Sequence, residues 1–283
     1  MGEGWYRSAN AVGRAVLGVL DTTVRVRGEE HVPRSGPVLL ASVHVSFLDF
    51  VLVEKAALER DRLVRFLCRH DVWSAPLVGR VMDAMRHVPV DRAAPAAAYL
   101  GARRLLREGE AVCLFPEAGI SHSLTVRPLM RGAAALAAET GAPLVPVVVW
   151  GGQRVLPLGR GGRRPRPDLR RGSLVDVRFG EPLAVAPGDG PTVVTERLGH
   201  VLTQMLESVQ RLPGHRPAEG EWAPWYPAHL GGHAPDRRAA LLLDDVPRSA
   251  LMPSWGPPGT HYGEHHGDTA AAPAGGRVRR HPA

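Results

Sequence analysis

The sequence predicts an α/β domain: a mainly parallel or mixed sheet flanked by helices, followed by a disordered C-terminal tail. Three observations carry this. Short apolar runs, rich in Val and Leu, alternate with longer amphipathic segments through most of the 283 residues. The runs are apolar at consecutive positions, as in strands covered on both faces. Beyond Leu212, Pro, Gly, His and Ala take over and apolar periodicity vanishes.

Residues 1–21 form the first unit, an amphipathic helix over about 4–20. Trp5, Val12, Val16 and Val19 line one side with Ala9 and Ala15 nearby, and Arg7 and Arg14 give a cationic side. Such a helix packs on its own core or lies in a bilayer interface, and a Trp-bearing, Arg-flanked stripe favours the interface. Residues 22–212 form the domain proper. Its expected strands are Val24–Arg27, Val38–Val43, Leu63–Cys68, His87–Val90, Ala111–Phe115, Leu144–Trp150 and Leu174–Phe179. Its expected helices are Leu48–Glu59, Val72–Met85, Ala94–Arg107, Leu129–Thr140 and Thr192–Val209. Glu108-Gly109 and Thr140-Gly141 supply C-cap signals. Residues 213–283 are expected to be largely disordered, with Ala239–Leu243 a short helix. His261, His265 and His266 in this tail lack the rigid frame a metal site needs.

Composition narrows the function classes. Lys and Arg total 35 against 28 acidic residues, a net charge of +7, and Lys55 is the only lysine. The abundance of Arg, Ala, Gly and Pro fits a GC-rich bacterial genome, which weakens a functional reading of any single arginine. A basic balance still suits an anionic partner. With no nucleic-acid-binding module signature and sparse stacking aromatics, lipid headgroups fit better than nucleic acid. The Arg277, Arg279, Arg280 end is a minor candidate for touching anionic lipid. The Gly151–Ser173 connection, with Gly161-Gly162, Arg163-Arg164 and Arg170-Arg171, reads as a solvated loop, or as a contact for lipid headgroups or coenzyme A phosphates. Cys68 and Cys113 offer neither a disulfide framework nor zinc spacing, so reduced thiols in a cytoplasmic protein are expected. No cleavable signal pattern and no run near the ~20 apolar residues of a membrane span is seen.

The chemistry centres on His44 and Asp49. The run Pro37–Val43 delivers His44 to a turn, and Asp49 follows five positions later. On one continuous helix the two side chains would diverge by about 140°. They meet only if His44 sits in the loop and Asp49 in the first turn of the next helix. In that arrangement the carboxylate fixes the tautomer and stabilises the imidazolium while the other ring nitrogen takes a proton from an alcohol. No serine or cysteine nucleophile pairs with them, so direct attack by a substrate hydroxyl on an activated acyl group is the natural reaction. His44, Arg92 and Glu117 each lie just past an expected strand end, where open α/β sheets collect ligands.

Four blocks in order resemble the glycerolipid acyltransferase family, best known for the lysophosphatidic acid acyltransferases: Gly36–Leu40 leading to His44 and Asp49, His87–Arg92, Leu114–Glu117, and Val145–Val147. The resemblance covers roughly residues 24–185. It implies His44 as catalytic base with Asp49 as its partner. It further implies a lysolipid acceptor, 1-acylglycerol-3-phosphate above others, acyl-CoA or acyl carrier protein as co-substrate without cofactor or metal, and work at the inner face of the cell membrane. Arg92 then binds acceptor phosphate, or else pairs with a carboxylate such as Asp91 or Glu117. Glu117 binds an acceptor hydroxyl or holds its loop by accepting backbone N–H groups. Ser121 is a further hydrogen-bonding candidate, and Ser46 a candidate for the site or a helix cap. His122 has no assigned role, while His70 and His87 read as structural. The sequence departs from the family where an arginine is expected to follow Glu117: that position is Ile120, and Val43 stands where asparagine often precedes the histidine. Arg127 and Arg131 are candidates to supply the missing charge. The departure leaves another acceptor open, a lysophospholipid, glycolipid or aminolipid, as well as an inactive lipid-binding protein or a hydrolase.

Overall fold

The protein is described by a computed structural model covering residues 2–258, apart from 160–166, 168–169 and 187. Seven strands form one sheet: β1 (Thr23–Arg27), β2 (Val38–Ser42), β3 (Val64–Arg69), β4 (Val88–Val90), β5 (Ala111–Leu114), β6 (Leu144–Trp150) and β7 (Leu174–Phe179). Their spatial order is β1-β7-β6-β2-β5-β3-β4. Every neighbouring pair is parallel except β6 and β7, so β1 and β7 run against the other five. The helices are α1 (Gly2–Val19), α2 (Asp49–Ala57), α3 (Pro76–Ala84), α4 (Ala96–Arg107), α5 (Gly132–Thr140), α6 (Gly152–Val155), α7 (Pro191–Gln210) and α8 (Arg237–Leu241). All seven strands expected from the sequence form, within a residue or two of their expected ends.

Strand alternation divides the core in two. Leu39, Ala41, Val112, Leu114, Leu144 and Val148 face Leu105 and Leu106 of α4, Leu136 of α5, and Leu198, Leu202 and Leu206 of α7. Val38, Leu40, Cys113, Val145 and Val147 face Leu52, Val53 and Ala56 of α2. Burial on both faces explains the unbroken apolar runs. Cys113 is buried, Cys68 half-buried, and both are free thiols. Burial pushes the Cys68 thiol up to about 12.

Helix α1 packs on α2 and α3 through one side only. Tyr6 is buried and hydrogen-bonds Val64 O and Glu54, Asn10 Nδ2 donates to Glu54 Oε1 at 3.1 Å, and Leu17 meets the second core. The stripe picked out from the sequence faces outward instead: Trp5, Val12, Val16 and Val19 are 51–71% exposed.

The chain after α7 departs from the expected disorder. As far as residue 258 it folds back over the domain, held by widely spaced anchors rather than by periodic elements. His215 is buried with its Nε2 2.7 Å from Asp176 Oδ2, Tyr226 donates from its hydroxyl to Gln210 O, and Leu129 N–H donates to Trp255 O at 2.7 Å. Helix α8, near the expected Ala239–Leu243, is capped by Asp236, whose carboxylate accepts the Ala239 N–H. The reading of disorder missed this because anchors ten or more residues apart leave no local pattern. His261, His265, His266, Arg277, Arg279 and Arg280 lie outside the described residues, as do Gly161, Gly162, Arg163 and Arg164.

Candidate active site

The parallel strands β2, β4, β5 and β6 all deliver their following loops to one edge of the sheet. From β2 the chain passes through Val43 to His44, and Asp49 is the first residue of α2, in the arrangement required for the two to meet. His44 Nδ1 lies 2.9 Å from Asp49 Oδ2. The same oxygen accepts the N–H groups of Val45 (2.7 Å) and Ser46 (2.8 Å). Asp49 thus binds both the ring and the turn that presents it. Burial pushes its carboxyl above the ordinary value, while the His44 hydrogen bond and charge and the two backbone N–H groups oppose that rise. Its place in the first turn of α2 also suits a negative charge.

An acceptor on Nδ1 fixes the histidine proton there and leaves Nε2 as the free lone pair. Among the described residues Nε2 makes no hydrogen bond, and the side chain is 18% exposed. Phe115 stacks on the imidazole, with ring centroids 4.0 Å apart. Phe47 and Phe50, beside the dyad in the chain, are exposed, and Phe50 meets Phe66 of β3 edge-on with ring centroids 6.0 Å apart.

Glu117 is turned inward. Its Oε1 accepts the His44 N–H at 2.7 Å and its Oε2 the Arg127 N–H at 2.8 Å. Of the two roles open to it, the geometry provides loop-holding, and an acceptor hydroxyl finds both oxygens engaged. Burial pushes the carboxyl up to about 8 against those contacts and the Arg127 charge. Ser121 corrects the sequence expectation in the same way. It is fully buried, its Oγ donates to Thr125 O at 2.7 Å, and its N–H donates to His44 O at 2.8 Å. Both residues brace the His44 loop instead of facing a substrate. Ser46 Oγ accepts the Leu48 N–H at 3.2 Å, which closes the turn before α2.

The arginines fare differently. Arg92 follows β4 and does pair with a carboxylate, though not Asp91 or Glu117: its partner is Asp245, at 2.5 Å. Arg127 is buried, not a surface residue, and pairs with Asp244 at 3.1 Å while donating to Ile120 O. His122 Nδ1 also meets Asp244, at 3.0 Å. A Cβ on Gly119 would clash with the Arg127 guanidinium, so glycine there makes room for it. Arg131 stands exposed at the N-cap of α5 and, among the described residues, joins none of these bonds. His87 is structural: its Nδ1 accepts the Phe66 N–H, and burial with the Arg65 charge lowers its pKa to about 4. Asp244 and Asp245 are the site-edge residues that sequence reasoning missed. The available signal was an acidic pair closing the apolar run Leu241–Leu243.

Fold and dyad together define an α/β protein that holds a carboxylate-oriented histidine at the mouth of a mainly parallel sheet. Comparison with known proteins is specific. The family model described as Acyltransferase matches residues 23–150, from β1 to the end of β6. A lyso-ornithine lipid O-acyltransferase of Rhizobium meliloti is 31% identical over 261 residues, covering 83% of each chain. A chloroplastic 1-acyl-sn-glycerol-3-phosphate acyltransferase of Brassica napus is 30% identical over 149 residues, 51% of this chain, which spans only 42% of that protein. The crystal structure of the 1-acyl-sn-glycerophosphate acyltransferase of Thermotoga maritima superposes with a TM-score of 0.62 at 20% identity, covering 73% of this chain and 80% of that one. This chain belongs to the glycerolipid acyltransferase family.

Proposed function

We propose that the protein is an O-acyltransferase that moves a fatty acyl group from an acyl thioester, on coenzyme A or acyl carrier protein, to the hydroxyl of a lysolipid, with 1-acylglycerol-3-phosphate the leading acceptor. The observation that carries this is the His44–Asp49 pair, with Nε2 left as the free lone pair, in a chain of this family. His44 Nε2 takes the hydroxyl proton as the alcohol oxygen attacks the thioester carbonyl. Asp49 offsets the imidazolium charge. The C–S bond then breaks as the ester forms, and the thiolate leaves with the proton that the imidazolium returns. A histidine base of this kind contributes about 10²–10⁴-fold. The rest falls to positioning and to stabilisation of the developing oxyanion.

The outward stripe of α1 and the exposed Phe47 and Phe50 support work at a membrane surface, in keeping with a lipid acceptor. Among the described residues no helix is long and apolar enough to cross a membrane. We place the protein on the cytoplasmic face, where acyl thioesters are made. A second reading, an acceptor with an amino-acid headgroup, is favoured by the match over 83% of both chains to the lyso-ornithine lipid enzyme.

The test mixes purified protein, an acyl thioester and liposome-presented lysolipid, and follows free thiol and product lipid beside His44→Ala. Acceptor-dependent release of both, lost in the variant, is the expected result. Thiol release without acceptor would indicate a hydrolase.

A further inference from the structure

We propose that Asp245 is a specificity-determining residue. Seated on Arg92, its carboxylate weakens the headgroup subsite's hold on phosphate monoesters relative to acceptors whose headgroup carries a cation beside its anion. This rests on the lysolipid acyl-transfer reading above.

Three features of the segment after α8 support it. First, Arg92 is held from two sides of one residue: its terminal nitrogens donate to Asp245 Oδ2 at 2.5 Å and Asp245 O at 2.6 Å, with Ala118 O at 3.0 Å completing the grip. Ser249 Oγ donates back to Arg92 O at 2.6 Å, so the segment also fixes the arginine's main chain. The Nε of Arg92 is buried and meets no partner, so the segment leaves one donor of the guanidinium unmet. Second, Arg127 is matched in the same way, by Asp244. Third, position 120 is isoleucine and adds no cation. The rim therefore sets Arg92, Arg127 and Arg69, the last 3.7 Å from Asp245 Oδ2, against the two carboxylates of this segment, with Asp71 at 2.8 Å as a further partner of Arg69, so each guanidinium already has a carboxylate.

A phosphate monoester, with a charge of about −1.5 to −2, must evict the Asp245 carboxylate from Arg92 or sit against it. A zwitterionic headgroup meets no such conflict. Its carboxylate takes a terminal nitrogen of Arg92 while its ammonium takes Asp245, and the charge balance is preserved. Asp245 is itself 74% exposed, so the ammonium can reach it from solvent.

The experiment compares wild type with Asp245→Asn and Asp245→Ala. It measures kcat and KM on lysophosphatidic acid and on a zwitterionic lysolipid, an N-(3-hydroxyacyl) amino acid with a free side-chain amine. In both variants the preference for lysophosphatidic acid over the zwitterion should rise by about two- to fivefold, the scale of one partly exposed ion pair, mainly through KM. An unchanged preference in correctly folded variants, or an equal loss on both acceptors, overturns the proposal. Calorimetric titration with dodecyl phosphate reads the same subsite without turnover: both variants should bind it more tightly, and Arg92→Ala added to Asp245→Asn should erase the gain. If wild type turns over no lysolipid, the acyl-transfer reading fails, and this titration still decides whether Asp245 opposes phosphate at Arg92.

Discussion

Glu117 holds His44 by its main chain, not its ring: Oε1 accepts the His44 N–H at 2.7 Å, across 73 residues of sequence. The other oxygen takes the Arg127 N–H, so one buried carboxyl group pins two loops at the sheet edge. A geometry in which the imidazole must meet a hydroxyl and a thioester together needs that loop fixed, since small misplacements are costly.

Glu117→Gln keeps one acceptor oxygen and sets an amide NH₂ against one of the two N–H donors. We expect a loss of about 1–3 kcal/mol in stability, the scale of a buried unsatisfied donor, and a fall in kcat larger than any change in KM. The pH dependence has a definite sign. Burial raises Glu117 from an ordinary 4.5 to about 8, so across that window the native state holds a proton that the unfolded state has lost. Stability therefore decreases as pH rises from about 4.5 to about 8. Glu54, raised by burial to about 7, acts in the same direction. Melting temperature measured against pH should fall less steeply in Glu117→Gln, and less again with Glu54→Gln added. Identical slopes in all three proteins would refute the assignment.

Asp49→Asn addresses the ring itself. The amide oxygen can still accept from Val45 and Ser46, but the Nδ1–H that orients His44 loses its charged partner and the imidazolium loses its counter-charge. Steady-state assays should show kcat lowered by about 10²–10⁴-fold with acceptor KM little altered. A variant retaining more than a tenth of wild-type kcat would remove Asp49 from the mechanism.

The parts of this molecule legible in the sequence are those fixed by local pattern. Strands such as Val38–Ser42 and Leu144–Trp150 are buried on both faces and declare themselves as continuous apolar runs. For His44 and Asp49 the spacing set the condition for meeting, a loop-to-helix transition between them, and the four blocks resembling the acyltransferase family supplied the expectation that they do. What stayed hidden was set by contacts between distant residues. Nothing near Arg92 announces Asp245, 153 residues away. Glu117 reads from sequence as a carboxylate at a strand end, and only the fold shows which donors it faces. The Pro- and Gly-rich chain after α7 lacks periodicity, yet His215, Tyr226 and Trp255 fasten it one at a time.

The outward face of α1 predicts membrane attachment separable from chemistry. Replacing Trp5, Val12 and Val16 with serine removes apolar area that makes no core contact, so the melting temperature should hold within a degree or two. At ~25 cal/mol per Å² of apolar surface, losing even half of three such side chains should weaken partition onto anionic vesicles by about tenfold or more. Vesicle flotation measures this directly. Turnover of a short-chain, water-soluble acceptor should persist, whereas liposome-presented acceptor should be used poorly. Unchanged flotation would assign the stripe to another surface.

Among the described residues the most deeply buried histidine–carboxylate pair is His215 with Asp176 of β7, each no more than 1% exposed. It lies where the chain leaves α7 and ties the returning segment to the sheet. Removing one partner strands the other. His215→Ala leaves Asp176 with Arg178 at 3.9 Å as its nearest ion-pair partner and should cost about 3 kcal/mol in urea denaturation. Burial raises the Asp176 carboxyl, but the hydrogen bond and charge of His215, with help from Arg178 and Arg25, outweigh it and leave the pKa below the ordinary 3.8. A lowered carboxylate contributes stability that is present above the ordinary value and lost as pH falls through the native one. Wild type should therefore lose stability on acidification below about pH 4 more steeply than His215→Ala, the opposite sign to the Glu117 effect. Limited proteolysis adds a local readout, because cleavage between residues 213 and 258 should quicken in the variant before the domain itself opens. Equal stability and equal cleavage in the two proteins would mean that Tyr226 and Trp255 hold the segment without this pair.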